Sequence, residues 1–258
     1  MKSILNVLVL SCLLFYSCSK DVNKNSDLPD EACLQSAVDD GFVFYSGDHK
    51  MLYGGENPDW HFDITNSTLR ECQLRFGLGR EAFDALIDPQ YKTVEEESFR
   101  YDSNDRFIIV LSDEGPKVYS ITLLTHHEVI NEVIDGTPVM VVYCILADLA
   151  AVYDRTYCDT TLTFALSGYT YSTPEVWDGV DAFVLWDRET ESLWWPLWDE
   201  AVSGEMLGTT MTKYNGNLWW EITWSDILRD YSDAKVMATG QSMDPPVNWP
   251  HYENISCK

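Results

Sequence analysis

From residue 105 onward the chain shows a clear rhythm of apolar and polar positions. Phe107 to Leu111 reads as a strand, Asp113-Glu114-Gly115-Pro116 as a turn, and Lys117 to Ile121 as the second strand of a hairpin. Leu123, His127, Ile130 and Ile134 fall at i, i+4, i+7 and i+11, which predicts one stripe of a helix over 123–134. Asp135-Gly136-Thr137-Pro138 stops it. Val139 to Cys144 is an unbroken apolar, β-branched run, the pattern of a strand covered on both faces. Further strands are predicted at 150–154, 161–166, 182–186 and 193–198. Met211 to Tyr214 and Leu218 to Ile222 flank Asn215-Gly216, a hairpin signal. A short helix then runs to Tyr231 with Ser225 as cap, and Lys235 to Ala238 closes the pattern as a strand.

Residues 31 to about 100 are less regular. Phe42 to Tyr45 reads as a short strand, and Gly77-Leu78-Gly79-Arg80-Glu81 as a loop with one glycine too few for a dinucleotide fingerprint. Strands and helices do not alternate, so a doubly wound sheet is excluded. The expected class is α+β: a mostly antiparallel sheet or partly open barrel with one central and one late short helix.

The first residues carry Lys2, then a mostly apolar run from Ile4 to Phe15, too short for the ~20 residues that span a bilayer. Ser17 directly precedes Cys18, which resembles a bacterial lipoprotein signal. The expectation is a signal at 1–18 with Cys18 lipidated, a polar tether at 19–30, and one globular domain at 31–258. The protein would then sit outside the cytoplasm, held to a bacterial membrane by that lipid. The formal net charge of -25 repels phosphate backbones, so nucleic acid is excluded as a partner. No protein partner is legible.

Of the seven cysteines, Cys12 lies in the leader and Cys18 would carry lipid. Position pairs Cys33 with Cys72 and Cys158 with Cys257, leaving Cys144 as the odd thiol. Cys144 is open to three readings: core packing, a bridge to Cys158, or a working thiol. His127 and Glu128, with Asn131 one turn on, place an imidazole, a carboxylate and an amide on one shoulder of the expected helix. Asn131 occupies the place where a zincin motif needs a second histidine, so that reading fails. A histidine beside Cys144 would lower the thiol pKa and make a nucleophile; catalytic candidates are therefore Cys144, His127 and Glu128. The same His127 and Cys144 are candidate ligands for a soft metal, with copper or zinc the implied ion. The short connection at 135–138 argues that the two lie together at the floor of one cleft. Two strand ends, Asp154-Arg155 and Asp187-Arg188, are candidate rim residues for an anionic ligand. The runs around Trp194, Trp195, Trp198, Trp219 and Trp220 are either core or stacking platforms for sugars.

The order HEVIN (127–131), GTPVMVVYC (136–144), VYDR (152–155), LTFALSG (162–168), LWDRETESLW (185–194) and AVSGEMLG (201–208), with a tryptophan-led helix before AKVM (234–237), resembles the domain of unknown function (DUF) 3179 family over about 85–240. The resemblance implies a protein often secreted or membrane-anchored, and no established activity. It also implies a Y-C-P-L-C-G motif. Here Tyr143, Cys144 and Leu146 match, while Ile145, Ala147 and Asp148 replace the proline, the second cysteine and the glycine. Dithiol exchange needs two sulfurs, one to attack and one to resolve, and this chain lacks the second locally. Two functions from different classes follow: a metal-ion or small-ligand binding domain, or an enzyme using Cys144 with His127, with sugar binding on the tryptophans as a variant of the first.

Overall fold

The computed structural model describes residues 28–215 and 218–241. The leader, residues 19–27 of the tether, Gly216 and Cys257 lie outside the described residues. In chain order, α1 (Asp30–Asp39) is followed by β1 (Val43–Ser46), β2 (His49–Leu52), β3 (Phe62–Asp63), β4 (Leu74–Phe76), β5 (Leu86–Ile87) and β6 (Tyr91–Thr93). Then come α2 (Val94–Glu97), β7 (Arg106–Val110), β8 (Lys117–Ser120), α3 (Ile121–His127), β9 (Val129–Ile134), β10 (Thr137–Cys144) and β11 (Leu149–Asp154). The last stretch holds β12 (Thr156–Tyr157), β13 (Thr160–Thr161), β14 (Phe164–Tyr171), β15 (Ala182–Asp187), β16 (Leu193–Trp195), β17 (Glu200–Ala201), β18 (Trp219–Thr223), α4 (Trp224–Asp230) and β19 (Lys235–Met237).

The strands form a β1-β2-β3 sheet, a β11-β10-β9-β5 sheet, a β17-β16-β15-β14-β4 sheet, a β18-β7-β8-β19-β6 sheet and a β12-β13 ribbon. Pairing is antiparallel except between β5 and β9 and between β8 and β19. The fold is broadly α+β and mostly β, and none of the sheets closes into a barrel.

Period-two alternation in β10 explains how the layers stack. Met140, Val142 and Cys144 point into a core shared with Phe164, Leu166, Phe183 and Leu185 of β14 and β15. Val139, Val141 and Tyr143 point the other way, into a core with Ile108 and Val110 of β7 and Tyr119 of β8. The other side of β7, Phe107 and Ile109, packs on Trp224 and Ile227 of α4. The β9–β11 sheet is therefore sandwiched between two others. That is why its central strand is apolar at every position from Val139 to Cys144.

Several expectations need correction. The helix predicted over 123–134 ends at His127, and 129–134 is a strand paired antiparallel with β10. Spacing of four fits a helix face and a strand face equally, so Ile130 and Ile134 share a side in either case. The β-branched run Val129, Ile130, Val133, Ile134 favours the strand. Asp135-Gly136 is consequently a hairpin turn, with both residues at positive φ. The expected turn falls partly on Gly216, outside the described residues; β18 pairs with β7, and on the other flank Lys213 forms an isolated bridge with Tyr153. The cap of α4 is Thr223, whose side chain accepts from the Asp226 amide, and not Ser225. Helices α1 and α2 had no counterpart in the predicted elements.

Cys33 and Cys72 form a disulfide that ties α1 to the turn before β4. Cys158 is also disulfide-bonded, so it is not available to Cys144; its expected partner Cys257 lies outside the described residues. Cys144 is the free cysteine among the described residues, and it is buried.

Candidate functional site

Cys144 is the last residue of β10, and Ile145 to Asp148 form the tip of the hairpin to β11. Asp148 takes the left-handed conformation the tip requires (φ 46°). Its carboxylate accepts from the Tyr143 hydroxyl at 2.8 Å and pairs with Arg106 at 2.9 Å, which fixes the tip against β7. Alternation along β10 aims Cys144 at the β14–β15 sheet, where its sulfur accepts from the Phe183 amide at 3.5 Å.

Glu128 joins α3 to β9 and sits beside the same strand end. Its own carbonyl accepts from the Tyr143 amide at 3.1 Å. Its backbone is left-handed (φ 57°), an uncommon conformation for a glutamate. This sharp reversal turns the chain from helix to strand and points the side chain into a cavity of about 250 Å³. Cys144 lies on the cavity wall with Glu128. The rest is almost wholly apolar: Phe83, Leu166, Tyr169 and Phe183 within, and Leu78, Ile145 and Leu146 at an exposed lip.

The 77–82 loop forms one side of this cavity, and a backbone irregularity in β14 holds it there. The register of β14 against β15 shifts between Leu166 and Tyr169. Gly168 sits in that bulge at φ 85°, and a Cβ there would stand 2.3 Å from the Gly79 carbonyl. Gly77 and Glu81 donate backbone bonds to Gly168 and Leu166. The loop thus lies directly on the bulge, and only glycine permits the approach.

Burial without compensation sets the electrostatics. Glu128 is 8% exposed, and among the described residues its carboxyl has no hydrogen-bond or ion-pair partner. Burial pushes its pKa up to about 7. Burial also pushes the Cys144 thiol up, and the nearby Glu128 adds to this against the backbone donors that lower it. Both effects favour the neutral thiol, the opposite of what activates a nucleophile.

The other sequence candidates go elsewhere. His127 does not line the cavity; its Nδ1 bonds the Asp84 carbonyl at 2.8 Å, and no hydrogen bond joins it to Cys144. The expected placement of His127 beside the thiol rested on the helix continuing to 134; the helix ends at His127 itself, and the ring turns to Asp84. Asn131 is fully buried on β9, its amide bonding both the carbonyl and the N–H of Phe164 at 2.8 Å, a clamp between two sheets. Arg155 donates to the carbonyls of Val139, Leu162 and Glu132. Arg188 makes a two-pronged bond to Glu81 at 2.7 and 2.8 Å. Asp154 accepts from the Thr156 amide, and Asp187 accepts from Thr190 and from the Trp194 indole. Both arginines are buried, so their donors serve the fold and form no anion-binding rim. Trp194 and Trp195 are fully buried, while Trp198, Trp219 and Trp220 are half-buried and pack against the core clusters. Among the described residues, no group of three or more His, Cys, Asp or Glu side chains is placed to hold a metal ion.

Sequence reasoning found Cys144 and Glu128 but missed the walls. Gly168, in the LTFALSG run, is the signal available for them: a glycine within a strand pattern marks a bulge or a close backbone approach.

A family model described as "Protein of unknown function (DUF3179)" matches residues 80–251. The match includes Glu128, Cys144 and every named wall residue except those of the loop at 77–79. No curated protein and no solved structure matches the chain.

Proposed function

The chain belongs to the DUF3179 family, and we propose that this member is a small-ligand-binding domain displayed outside the cytoplasm on a lipid carried by Cys18. The observation that carries the binding reading is the Glu128 carboxyl, buried on the wall of a largely apolar cavity and without a partner among the described residues. Binding sites combine apolar walls with a few polar groups left free to orient a ligand. A buried carboxyl without partners is costly to a fold, and a ligand that satisfies it recovers that cost. The thiol of Cys144 contributes shape and polarisability at the cavity wall. Anchoring rests on the short apolar leader ending at Ser17-Cys18; Cys18→Ala releases the protein from the membrane fraction if the reading holds.

The test of binding is a fragment screen followed by amide chemical shifts on the mature chain. Bound fragments are expected to move the amides of Gly79, Glu128, Cys144 and Phe183 together. A screen whose hits all map away from these residues, or that yields no hit, removes the reading.

A further inference from the structure

The nature of the ligand follows from what the cavity lacks. Besides the Glu128 carboxyl and the Cys144 thiol, the polar side chains on the wall are the neutral hydroxyls of Thr125, Thr170 and Tyr169, and among the described residues no Lys, Arg or His side chain lines it. Arg80 and Arg188, near in sequence to the loop, are committed to Glu191 and Glu81. An anionic ligand would meet Glu128 with no counter-charge, inside a chain of net charge -25. A neutral alcohol would gain a hydrogen bond but bring no charge to balance the carboxylate. A cationic ligand would bring the charge the site is missing, and the resulting bond is of the stronger, charge-assisted kind. The aromatic rings of Phe83, Tyr169 and Phe183 on the walls suit both an apolar body and a nearby cation.

We propose that this pocket binds a small organic amine with an apolar body, its ammonium donating to the Glu128 carboxylate and its body lying against Phe83, Tyr169 and Phe183. The proposal rests on the binding reading above and specifies its ligand class. The ammonium keeps its proton, and Glu128, if protonated beforehand, releases its own to solvent. The exposed lip of Leu78, Ile145 and Leu146 extends the apolar surface, so the body can be longer than the cavity itself.

Calorimetric titration of the mature chain with 2-phenylethylamine, 2-phenylethanol and phenylacetate, three ligands of one shape, tests it. At a pH about one unit above the Glu128 midpoint, the amine is expected to bind at least about tenfold tighter than the alcohol, and phenylacetate weakest. Lowering the pH to about one unit below that midpoint should weaken the amine by about tenfold, as the competent carboxylate becomes the minor form, and leave the alcohol unchanged. Glu128→Gln should erase the preference for the amine while retaining the alcohol. Equal binding of amine and alcohol by the unaltered protein overturns the amine proposal and leaves the pocket reading standing. Failure of all three ligands at millimolar concentration overturns both.

Discussion

Asp187 and Glu128 are two carboxyls buried in the same protein with opposite surroundings. Asp187 ends β15, is fully buried, and accepts from the Thr190 amide at 2.6 Å, the Thr190 hydroxyl at 2.8 Å and the Trp194 indole at 2.8 Å. Burial raises its pKa to about 6, and those donors hold the rise in check. Glu128 is raised to about 7 by burial with no donor opposing it. Desolvation acts on both; they differ in whether the protein itself supplies the compensation. Next to Asp187, Arg188 and Glu81 satisfy each other in the same way. Such a region is complete as folded. In the Glu128 region no donor among the described residues meets the carboxyl, and under the binding reading proposed above a ligand would supply it.

The contrast breaks most sharply at the complete region. Arg188→Met leaves the Glu81 carboxylate buried without its partner and is expected to cost about 3–5 kcal/mol in chemical denaturation. A midpoint that does not move would show that Glu81 is already hydrated. At the Glu128 region the sign reverses. Glu128→Gln removes an uncompensated acid and should raise stability above neutral pH by on the order of 1–2 kcal/mol. The folded protein holds the Glu128 proton more tightly than the unfolded chain. Stability from this group is therefore fully present below its ordinary pKa of 4.5, and is lost as pH rises to about 7. Asp187 gives a slope of the same sign in both proteins, so the difference between the two stability curves isolates Glu128. A difference curve that stays flat from acid to neutral pH would mean that Glu128 is solvated. The smallest effect belongs to the thiol: Cys144→Ala should cost about 1 kcal/mol, as a small core truncation, and leave ligand binding in place. Loss of binding in that variant would restore Cys144 as a functional group.

How much of this was legible in the sequence differs from element to element for physical reasons. The unbroken run from Val139 to Cys144 announced a doubly covered strand, because burial on both faces leaves no polar position to alternate. The stretch from Leu123 to Ile134 was misread because residues four apart share a side in a helix and in a strand. The left-handed turn at Glu128 that splits it depends on tertiary context. Cys144 and Glu128 were identified from their chemistry, yet their juxtaposition was not: His127 was the expected neighbour, and the helix-to-strand switch put Glu128 there instead. Arg155, Arg188 and Asn131 looked free in sequence, since the carbonyls and carboxylates that occupy them come from distant parts of the chain. The tryptophan pairs could not be sorted into core or surface from composition, because a large sheet needs such side chains in its interior. The pocket floor depends on Gly168 meeting Gly79 across 89 residues, a contact no local pattern encodes.

The cavity wall holds a buried carboxyl that no described residue satisfies. The most direct measurement is a pH titration of the Glu128 side chain by carboxyl carbon chemical shift in the ligand-free mature chain, with Glu128→Gln assigning the resonance. A midpoint at about 7 is expected. A midpoint near 4.5, the value of an ordinary glutamate, would contradict it.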